Sequence, residues 1–290
     1  MNMAIPIILD TDMGPDVDDA GALALLHILA RRKPVRLLAV THCTSNPYGC
    51  GCISAINTAY GQPDVPIGAW EESGFLNDGL LYNRFLAEHY PNRFQKSPCT
   101  SGAGRILEEA LSSVEDHSAV LAAIGPLNNI GRFLSSARGR ELAGRKLKQV
   151  AAMSGGLERP EWNVQMDIPA ARKTFSALEE LGVPVMLSPY ETGLPIITGR
   201  SWGNLPPEHP VSKAYSLYSP QGRPSWDLTA VWAAIQGPEP FFTLSEPGRI
   251  TVEADGFTRF SPSPQGNVRL LLNREDPART GAYFDSLWEV

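Results

Sequence analysis

The sequence lacks any apolar run long enough to cross a bilayer. Its longest apolar stretch, roughly Ala20–Ala30, is interrupted by His27 and falls well short of the ~20 residues that a membrane-spanning helix needs. The first ten residues, MNMAIPIILD, also lack the charged start and the cleavage site of a signal peptide. We therefore expect a soluble cytoplasmic protein without a membrane partner.

Basic segments are missing as well. The chain carries 25 Lys and Arg residues against 31 Asp and Glu residues, which gives a net charge of −6. Proteins that bind nucleic-acid polymers present a basic stripe or a Lys/Arg-rich arm, and this sequence has neither. We expect no nucleic-acid polymer among its partners.

Cysteine is scarce, which fits free thiols in a reducing compartment. The four cysteines are Cys43, Cys50, Cys52 and Cys99. Cys50 and Cys52 form a C-x-C pair, but no second pair and no histidine follows at the spacing of a zinc site. The cysteines therefore do not indicate a structural metal.

What the sequence does contain is a regular alternation of short β-branched runs and helical patterns. The predicted strands are residues 6–9, 35–41, 65–68, 118–124, 148–153 and 183–187, and the predicted helices between them are residues 19–32, 53–61, 105–113, 127–134 and 170–181. This β-α-β-α order predicts an α/β fold with an open, mostly parallel, Rossmann-like sheet flanked by helices. With 43% apolar residues, the 290 residues can form one large domain over 1–290.

The C-terminal third has a different pattern. Residues 198–225 are rich in loops, with one helix near 213–218, and we interpret them as an insertion in the domain. Helices are predicted over 227–236 and 277–288. Residues 249–253 and 268–272 alternate like strands and are expected to form a small hairpin or a sheet edge.

An unusual acidic segment follows the first predicted strand. Residues 9–23 read LDTDMGPDVDDAGAL, and the aspartates are Asp10, Asp12, Asp16, Asp18 and Asp19. Carboxylates this close repel one another, and burying them is costly unless a positive charge pairs them. No Lys or Arg follows in sequence before Arg31. Any one of these aspartates could have a structural role, such as a helix cap at Asp16 or Asp18, but the cluster as a whole indicates a metal or substrate site.

Polar residues also follow several other predicted strands. They occupy residues 41–46, 125–129 and 154–156, the last leading to Glu161-Trp162-Asn163. In open parallel sheets, ligands bind beyond the carboxyl ends of the strands, so the fold brings these segments to one edge. A carboxylate cluster at that edge suits a hard cation, and Ca²⁺, which takes six to eight oxygen ligands, is the cation that we predict.

Four segments in the same order resemble the nucleoside hydrolase family, the inosine-uridine preferring nucleoside N-ribohydrolases. Asp10-Thr11-Asp12-Met13-Gly14-Pro15-Asp16-Val17-Asp18-Asp19-Ala20 is similar to the family's opening D-T-D-P-G-x-D-D-A, with two extra residues before the Asp-Asp pair. Gly125-Pro126-Leu127-Asn128-Asn129-Ile130 is similar to its G-P-L-T-N-I. Met153-Ser154-Gly155-Gly156, Glu161-Trp162-Asn163 and Asp167-Ile168-Pro169-Ala170-Ala171 are similar to its M-G-G, E-F-N and D-P-A-A segments. Trp226-Asp227 stands where the family usually has His-Asp.

The resemblance implies an enzyme that hydrolyses the N-glycosidic bond of ribonucleosides with Ca²⁺, in purine or pyrimidine salvage. Asp12 would be both a metal ligand and the general base that activates water. The other ligands implied are Asp19, Asp227 and the backbone carbonyl of Asn128. The ribose contacts implied are Asp18 for the 2′-hydroxyl, Asn163 for the 3′-hydroxyl, Glu161 for the 5′-hydroxyl, and Asn46. The resemblance also implies a homodimer or homotetramer.

The leaving base is the part of the chemistry for which the sequence departs from the family. The histidine that can protonate a departing purine is replaced by Trp226, whose indole N–H can donate a hydrogen bond but delivers no proton near neutral pH. The Trp226 ring could stack on a base or pack against the protein. His42 or Cys43 could supply the acid instead, followed by His89 and His209.

Three other functions remain open at this stage. A protein that keeps the metal site but lacks an acid would be a ribose- or nucleoside-binding member of the family with little activity. The substrate could also be another ribosylated metabolite. Haloacid-dehalogenase-type phosphatases likewise begin with a strand followed by D-x-D, although they continue with Gly-Thr or Gly-Val where this chain has Met13-Gly14.

Overall fold

A computed structural model describes residues 4–77, 81–95, 99 and 101–289. Its strands are β1 (Ile5–Thr11), β2 (Val35–His42), β3 (Ile67–Ala69), β4 (Ala119–Ala123), β5 (Leu147–Met153), β6 (Val185–Ser188), β7 (Ile197–Thr198), β8 (Arg223–Pro224), β9 (Phe242–Leu244), β10 (Gly248–Val252), β11 (Thr258–Pro262) and β12 (Val268–Asn273). Its helices are α1 (Asp18–Arg32), α2 (Gly49–Ala59), α3 (Tyr82–His89), α4 (Ala103–Ser112), α5 (Asn128–Phe133), α6 (Ala137–Lys146), α7 (Trp162–Met166), α8 (Ile168–Glu180), α9 (Tyr190–Gly193), α10 (Pro210–Tyr218), α11 (Trp226–Gln236) and α12 (Pro277–Ser286).

The central sheet has the strand order β11-β10-β12-β6-β5-β4-β1-β2-β3, with β9 paired to β12. Every neighbouring pair from β3 to β12 is parallel, whereas β10 and β11 add an antiparallel edge. The predicted α/β fold with a mostly parallel sheet is therefore confirmed.

The strand order reverses at β1. From β1 the chain first builds β2 and β3 on one side, then crosses over to build β4, β5 and β6 on the other. The crevice beyond the carboxyl ends of β1 and β4 is the switch point at which open α/β sheets bind ligands. The acidic segment follows β1 directly, so the fold places it in this crevice.

Two apolar layers cover the sheet because successive side chains of a strand point to opposite faces. In β1, Ile7 and Leu9 pack in the layer that includes α1, α2 and α11, and Ile8 packs in the layer that includes α4, α5 and α8. Helix α1 is buried along most of its length because α11 packs against it. In the β1–α1 connection Asp12, Met13, Gly14 and Val17 are buried, whereas Pro15 and Asp16 are partly exposed, so most of the acidic segment is packed inside the protein.

The structure contains short elements that the sequence does not predict, namely α7, α9, β7, β8, β9 and β11 besides the two helices α3 and α6, and it gives β12 a different place. Strand β12 is not part of a peripheral hairpin, since it pairs in parallel with β6 and extends the central sheet. Strand β10 pairs with β11 over five residue pairs, from Gly248–Pro262 to Val252–Thr258, and touches β12 at one pair. Among the described residues, no helix has the length and hydropathy needed to span a bilayer.

Candidate active site

A cavity of about 370 Å³ opens at the carboxyl ends of β1, β4 and β5. Eight residues singled out from the sequence line it: Asp12, Asp16, Asp18, Asp19, Glu161, Asn163, Trp226 and Asp227. The cavity is also lined by residues that the sequence alone does not single out, among them Ile124, Trp162, Tyr190, Tyr218 and Arg223. Cavities of this size are typical of small-molecule sites.

Three buried carboxylates meet at the base of the cavity. Asp18 and Asp19 lie in the first turn of α1 and Asp227 in the first turn of α11, and each offers an oxygen within 4.8 Å of the other two. The positive ends of both helix dipoles favour negative charge at this point. Asp18 Oδ2 accepts the backbone N–H of Asp227 at 3.0 Å, and the Thr11 hydroxyl donates to Asp19 Oδ1. These contacts orient the carboxylates but supply no full positive charge.

Burial makes ionisation of this cluster costly. It raises the pKa of Asp12 to about 8, and the charges of Asp18 and Asp16 add to the effect. The pKa values of Asp18, Asp19 and Asp227 are raised well above their usual range, chiefly by burial and then by their neighbours' charges. A cation held among these oxygens would offset both the cost of burying the carboxylates and their mutual repulsion, and so lower their pKa values. The donor set therefore fits a hard divalent metal.

Asp16 contacts a cation that is distant in sequence. Arg223, in β8, donates from Nε to Asp16 Oδ1 and Oδ2, both at 2.9 Å, and from Nη2 to Oδ2 at 2.5 Å. The N-cap of α1 is Val17, and its side chain makes no capping bond. Tyr218 donates its hydroxyl to the carbonyl of Pro15 at 2.9 Å. Asp16 Oδ1 also accepts the N–H of Val17 at 2.6 Å. Of the two roles that the sequence leaves open for Asp16, a helix cap or a partner of the groups around the metal, the N-cap is wrong, and the carboxylate ties the extended acidic loop to segment 198–225.

The opposite end of the cavity is formed by the residues that follow β5. Glu161 begins α7, where its carboxylate accepts the N–H groups of Asn163 at 2.7 Å, Val164 at 3.2 Å and Gly155 at 2.9 Å. Burial raises the pKa of Glu161 to about 7. The Asn163 amide donates to the carbonyls of Met153 and Ile124, at 3.2 and 3.4 Å. Both side chains are thus oriented within the cavity wall.

Two residues expected at the site do not line the cavity. Asn128 is buried at the start of α5, and its amide donates to the carbonyl of Cys43 at 2.8 Å. Ile124, the residue after β4, lines the cavity in its place. Asn46 accepts the N–H of Tyr48 at 2.9 Å and lies in the loop after β2.

None of the candidate acids lines the cavity. His42 is fully buried, contacts the Thr44 hydroxyl at 3.2 Å, and has its pKa lowered by burial to about 4. Burial also raises the pKa of the Cys43 thiol well above its usual range. His89 is exposed on α3, and His209 caps α10 through its Nδ1 atom.

Trp226 lies in the cavity wall, and its polar atom is already used. Its indole Nε1 donates to the carbonyl of Tyr190 at 3.0 Å, and the two rings stack with centroids 5.4 Å apart. The Arg223 guanidinium carbon lies over the same indole, 5.1 Å from its centroid. These contacts hold the Trp226 ring in the wall of the cavity.

The close approach of β4 to β1 supplies a first prediction. A Cβ atom on Gly125 would lie 2.9 Å from both the backbone N and Oδ1 of Asp12, and 2.7 Å from Cys43 Sγ. The sequence resemblance implies that Asp12 is a reacting group, and displacing such a group by about 1 Å can cost about 10²-fold in rate, so we expect Gly125→Ala to lower kcat by about that factor. Steady-state kinetics would measure the loss. Gly104→Ala is the matched control, since nothing lies within 4 Å of its added Cβ atom. It should leave the rate unchanged, and equal rates for both variants would contradict the placement of Asp12.

Comparison with known proteins identifies the family of this chain and relatives of its fold. The family model described as inosine-uridine preferring nucleoside hydrolase matches residues 7–261. No curated protein sequence matches the chain. Among solved structures, the chain is similar to a purine-preferring ribonucleoside hydrolase from Gardnerella vaginalis, at 20% identity and a TM-score of 0.71, with 97% of each chain covered.

Two further solved structures share the fold. A plant nucleoside hydrolase, the PpNRh1 enzyme, is 16% identical with a TM-score of 0.70, over 98% of this chain and 99% of that one. The type III effector protein XopQ, complexed with adenosine diphosphate ribose, is 14% identical with a TM-score of 0.70, over 99% of this chain and 94% of that one.

The chain belongs to the inosine-uridine preferring nucleoside hydrolase family, whose members are hydrolases of N-glycosyl bonds. The family resemblance drawn from the four sequence segments is confirmed, and the phosphatase alternative loses its support.

Proposed function

We propose that this protein is a calcium-dependent N-ribohydrolase that cleaves ribonucleosides into base and ribose. The observation that carries the proposal is that the buried carboxylates of Asp18, Asp19 and Asp227 offer oxygens within 4.8 Å of one another at the switch point of the sheet, in a cavity that Asp12 also lines. Such a set is stable in the ionised form only with a bound cation. The residues around it have the donors and acceptors that a ribose ring needs.

The metal ligands in this proposal are Asp12, Asp19, Asp227 and the main-chain carbonyl of Ile124. All four residues line the cavity, and all four groups offer the oxygen donors that Ca²⁺ prefers. Ile124 replaces Asn128 in this set because Asn128 lies outside the cavity wall. When bound, Ca²⁺ would supply positive charge that orients neighbouring sugar hydroxyls and the attacking water.

The sugar contacts follow from the positions of the remaining polar groups. Asp18, beside the metal ligands, would accept the 2′-hydroxyl, and Asn163 would contact the 3′-hydroxyl. Glu161 would accept the 5′-hydroxyl. A buried carboxyl group at the 5′ end disfavours a phosphate there, which supports a nucleoside substrate over a nucleotide.

Asp12 is the proposed general base. It would take a proton from the water that attacks C1′ as the bond to the base breaks. The sugar becomes oxocarbenium-like as this bond breaks, and the carboxylates around it favour its positive charge.

A panel of ribonucleosides, assayed for released reducing sugar with and without EGTA, tests the proposal. Ribose release that disappears on chelation and returns with added calcium would support it. Ribose release that continues unchanged in EGTA would refute the metal dependence.

A ribose-binding function with little turnover is the second candidate, and the placement of Trp226 favours it. The indole N–H is committed to the Tyr190 carbonyl, and no histidine lines the cavity among the described residues. The effector structure with adenosine diphosphate ribose motivates adding that compound to the panel. Calorimetric binding of ribose without turnover of any compound would support this alternative.

Calcium should stabilise the protein more as the pH rises. Burial raises the pKa of Glu161 to about 7 and of Asp12 to about 8, so the metal-free folded protein retains protons that the unfolded chain loses above about pH 4. The metal-free protein therefore loses stability as the pH rises from about 4 to 8. Asp12 is a proposed metal ligand and Glu161 is not, so calcium replaces the proton of Asp12 and has its largest stabilising effect at the upper end of this pH range.

Thermal unfolding followed by circular dichroism at about pH 5 and about pH 8, with EGTA or excess calcium, would measure this difference. We expect a clearly larger calcium-induced rise in Tm at the higher pH. The Asp19→Ala variant should show little rise at either pH. Equal rises for the wild type at both pH values would contradict the prediction.

A further inference from the structure

Arg223 is the one cationic side chain that lines the cavity within the described part of the chain, and the family resemblance assigns it no role. The Arg223 side chain is 33% exposed to solvent. Nε and Nη2 are both committed to Asp16. In the described residues no hydrogen bond involves Nη1, so this edge of the guanidinium retains two N–H donors for a ligand.

Aromatic rings fix the guanidinium in place. Its central carbon lies 5.1 Å from the centroid of Trp226 and 5.6 Å from that of Tyr218. Trp226 is itself held by the Tyr190 ring and carbonyl. An arginine held by a carboxylate and by two rings loses little further freedom when it binds a planar group.

The position of Arg223 relative to the proposed sugar site points to the base. Trp226 directly precedes Asp227, a proposed metal ligand, and stands where the family usually has the histidine that can protonate the base. The two extra residues of the acidic loop include Asp16, the partner of Arg223. Trp226 in place of the histidine and Asp16 in the loop extension therefore both contact Arg223. Together they hold its guanidinium next to the position where the family usually has its acid.

We propose that Arg223 contacts the leaving group and stabilises the negative charge that develops on it, so that hydrolysis needs no acid and favours bases that depart readily as anions. This inference rests on the proposed function. Trp226 and Asp16 are positioning residues for Arg223. A guanidinium cannot act as the acid because it keeps its proton at all ordinary pH values.

The step balances without a proton donor in the cavity. The C1′–N bond breaks and its electron pair remains on the base, where ring carbonyl oxygens share the charge and accept hydrogen bonds from Arg223. Water forms the new C1′–O bond and gives its proton to Asp12. The departing base anion takes a proton from solvent water, and Asp12 returns its own proton to solvent.

The test compares leaving groups of different acidity. For 4-nitrophenyl riboside the leaving phenolate spreads its charge over its own ring and needs little help, whereas the base of inosine needs more. Loss of one such charge-stabilising donor costs about 10²-fold, so Arg223→Met should lower kcat/KM for inosine by about 10²-fold and for the nitrophenyl compound far less. Arg223→Lys keeps the positive charge but loses the paired N–H donors of the guanidinium. Its kcat/KM for inosine should lie between the values for the wild type and Arg223→Met.

Arg132→Met is the matched control. Arg132 also pairs with a carboxylate, Glu72 at 2.9 Å, and also lies over an indole, Trp70 at 5.2 Å, but it does not line this cavity. Its kcat/KM ratio between the two substrates should equal that of the wild type. If Arg223→Met does not fold, judged by circular dichroism, Arg223→Lys decides the question.

The outcomes separate the two proposals. Suppose that the wild type cleaves both compounds and that the Arg223 variants keep its ratio of kcat/KM for inosine to kcat/KM for 4-nitrophenyl riboside. This result would overturn the role of Arg223 and leave the proposed hydrolase function intact. The role of Arg223 would also be overturned if the kcat/KM ratio between the two substrates shifted in Arg132→Met as strongly as in Arg223→Met. A wild type that cleaves neither compound would overturn the proposed hydrolase and this inference with it.

Discussion

Asp12→Asn is expected to lower kcat by about 10³-fold or more while the protein stays folded. General-base catalysis contributes about 10²–10⁴-fold, and this substitution also removes a charged metal ligand. Asn is nearly the same size as Asp, and position 12 is buried and follows the buried part of β1, so the local packing is retained. Steady-state kinetics at saturating calcium, with circular dichroism to verify folding, would measure the effect. Turnover within about tenfold of the wild type would contradict the assignment of the base.

Asp10→Asn provides the comparison for that variant. Asp10 belongs to the same D-T-D motif, but it does not line the cavity and accepts hydrogen bonds from Thr41 at 2.5 Å and Asn129 at 2.8 Å. Its replacement disturbs this buried pairing and should cost about 1–3 kcal/mol of stability. The folded fraction should still turn over, so the two variants separate a structural carboxylate from a catalytic one.

Asp19→Ala is expected to weaken calcium binding by about 10²-fold or more, because it removes one of the few charged oxygens that set the affinity of a calcium site. Titration calorimetry of the chelator-stripped protein would measure the change. Thr11→Val should weaken binding by about tenfold, since outer-shell partners of metal ligands typically contribute about 10–100-fold and the Thr11 hydroxyl donates to Asp19. Thr11→Ser keeps that hydroxyl and should bind as the wild type does. Unaltered calcium affinity in Asp19→Ala would remove Asp19 from the metal site.

The sequence carried strong signals for the parallel sheet because its strands are buried on both faces and read as continuous apolar runs. The run PIIL in β1 and the run VLAA in β4 are of this kind. Strand β12 has a similar run, LLL, but only its partner, the distant strand β6, shows whether it belongs to the central sheet or to an edge hairpin.

The acidic cluster could be found from sequence because aspartates at a strand end are both visible and costly to bury. The proposed role of Ile124 could not, since a main-chain carbonyl leaves no trace in the identity of its residue. The partner of Asp16 was equally hidden, because Arg223 follows it by 207 residues, in a segment whose sequence indicates only loops. Trp226 could be recognised as a departure from the family, but its contact with Tyr190 arises only in the folded chain.

The most direct test of whether the buried carboxylates bind calcium next to the sugar is a diffraction map from crystals grown with a calcium salt and ribose. We expect one strong peak among the oxygens of Asp12, Asp19, Asp227 and the Ile124 carbonyl, at about 2.3–2.6 Å from each, with two adjacent ribose hydroxyls completing the coordination. A pocket that holds ribose with no ion beside these carboxylates would contradict it.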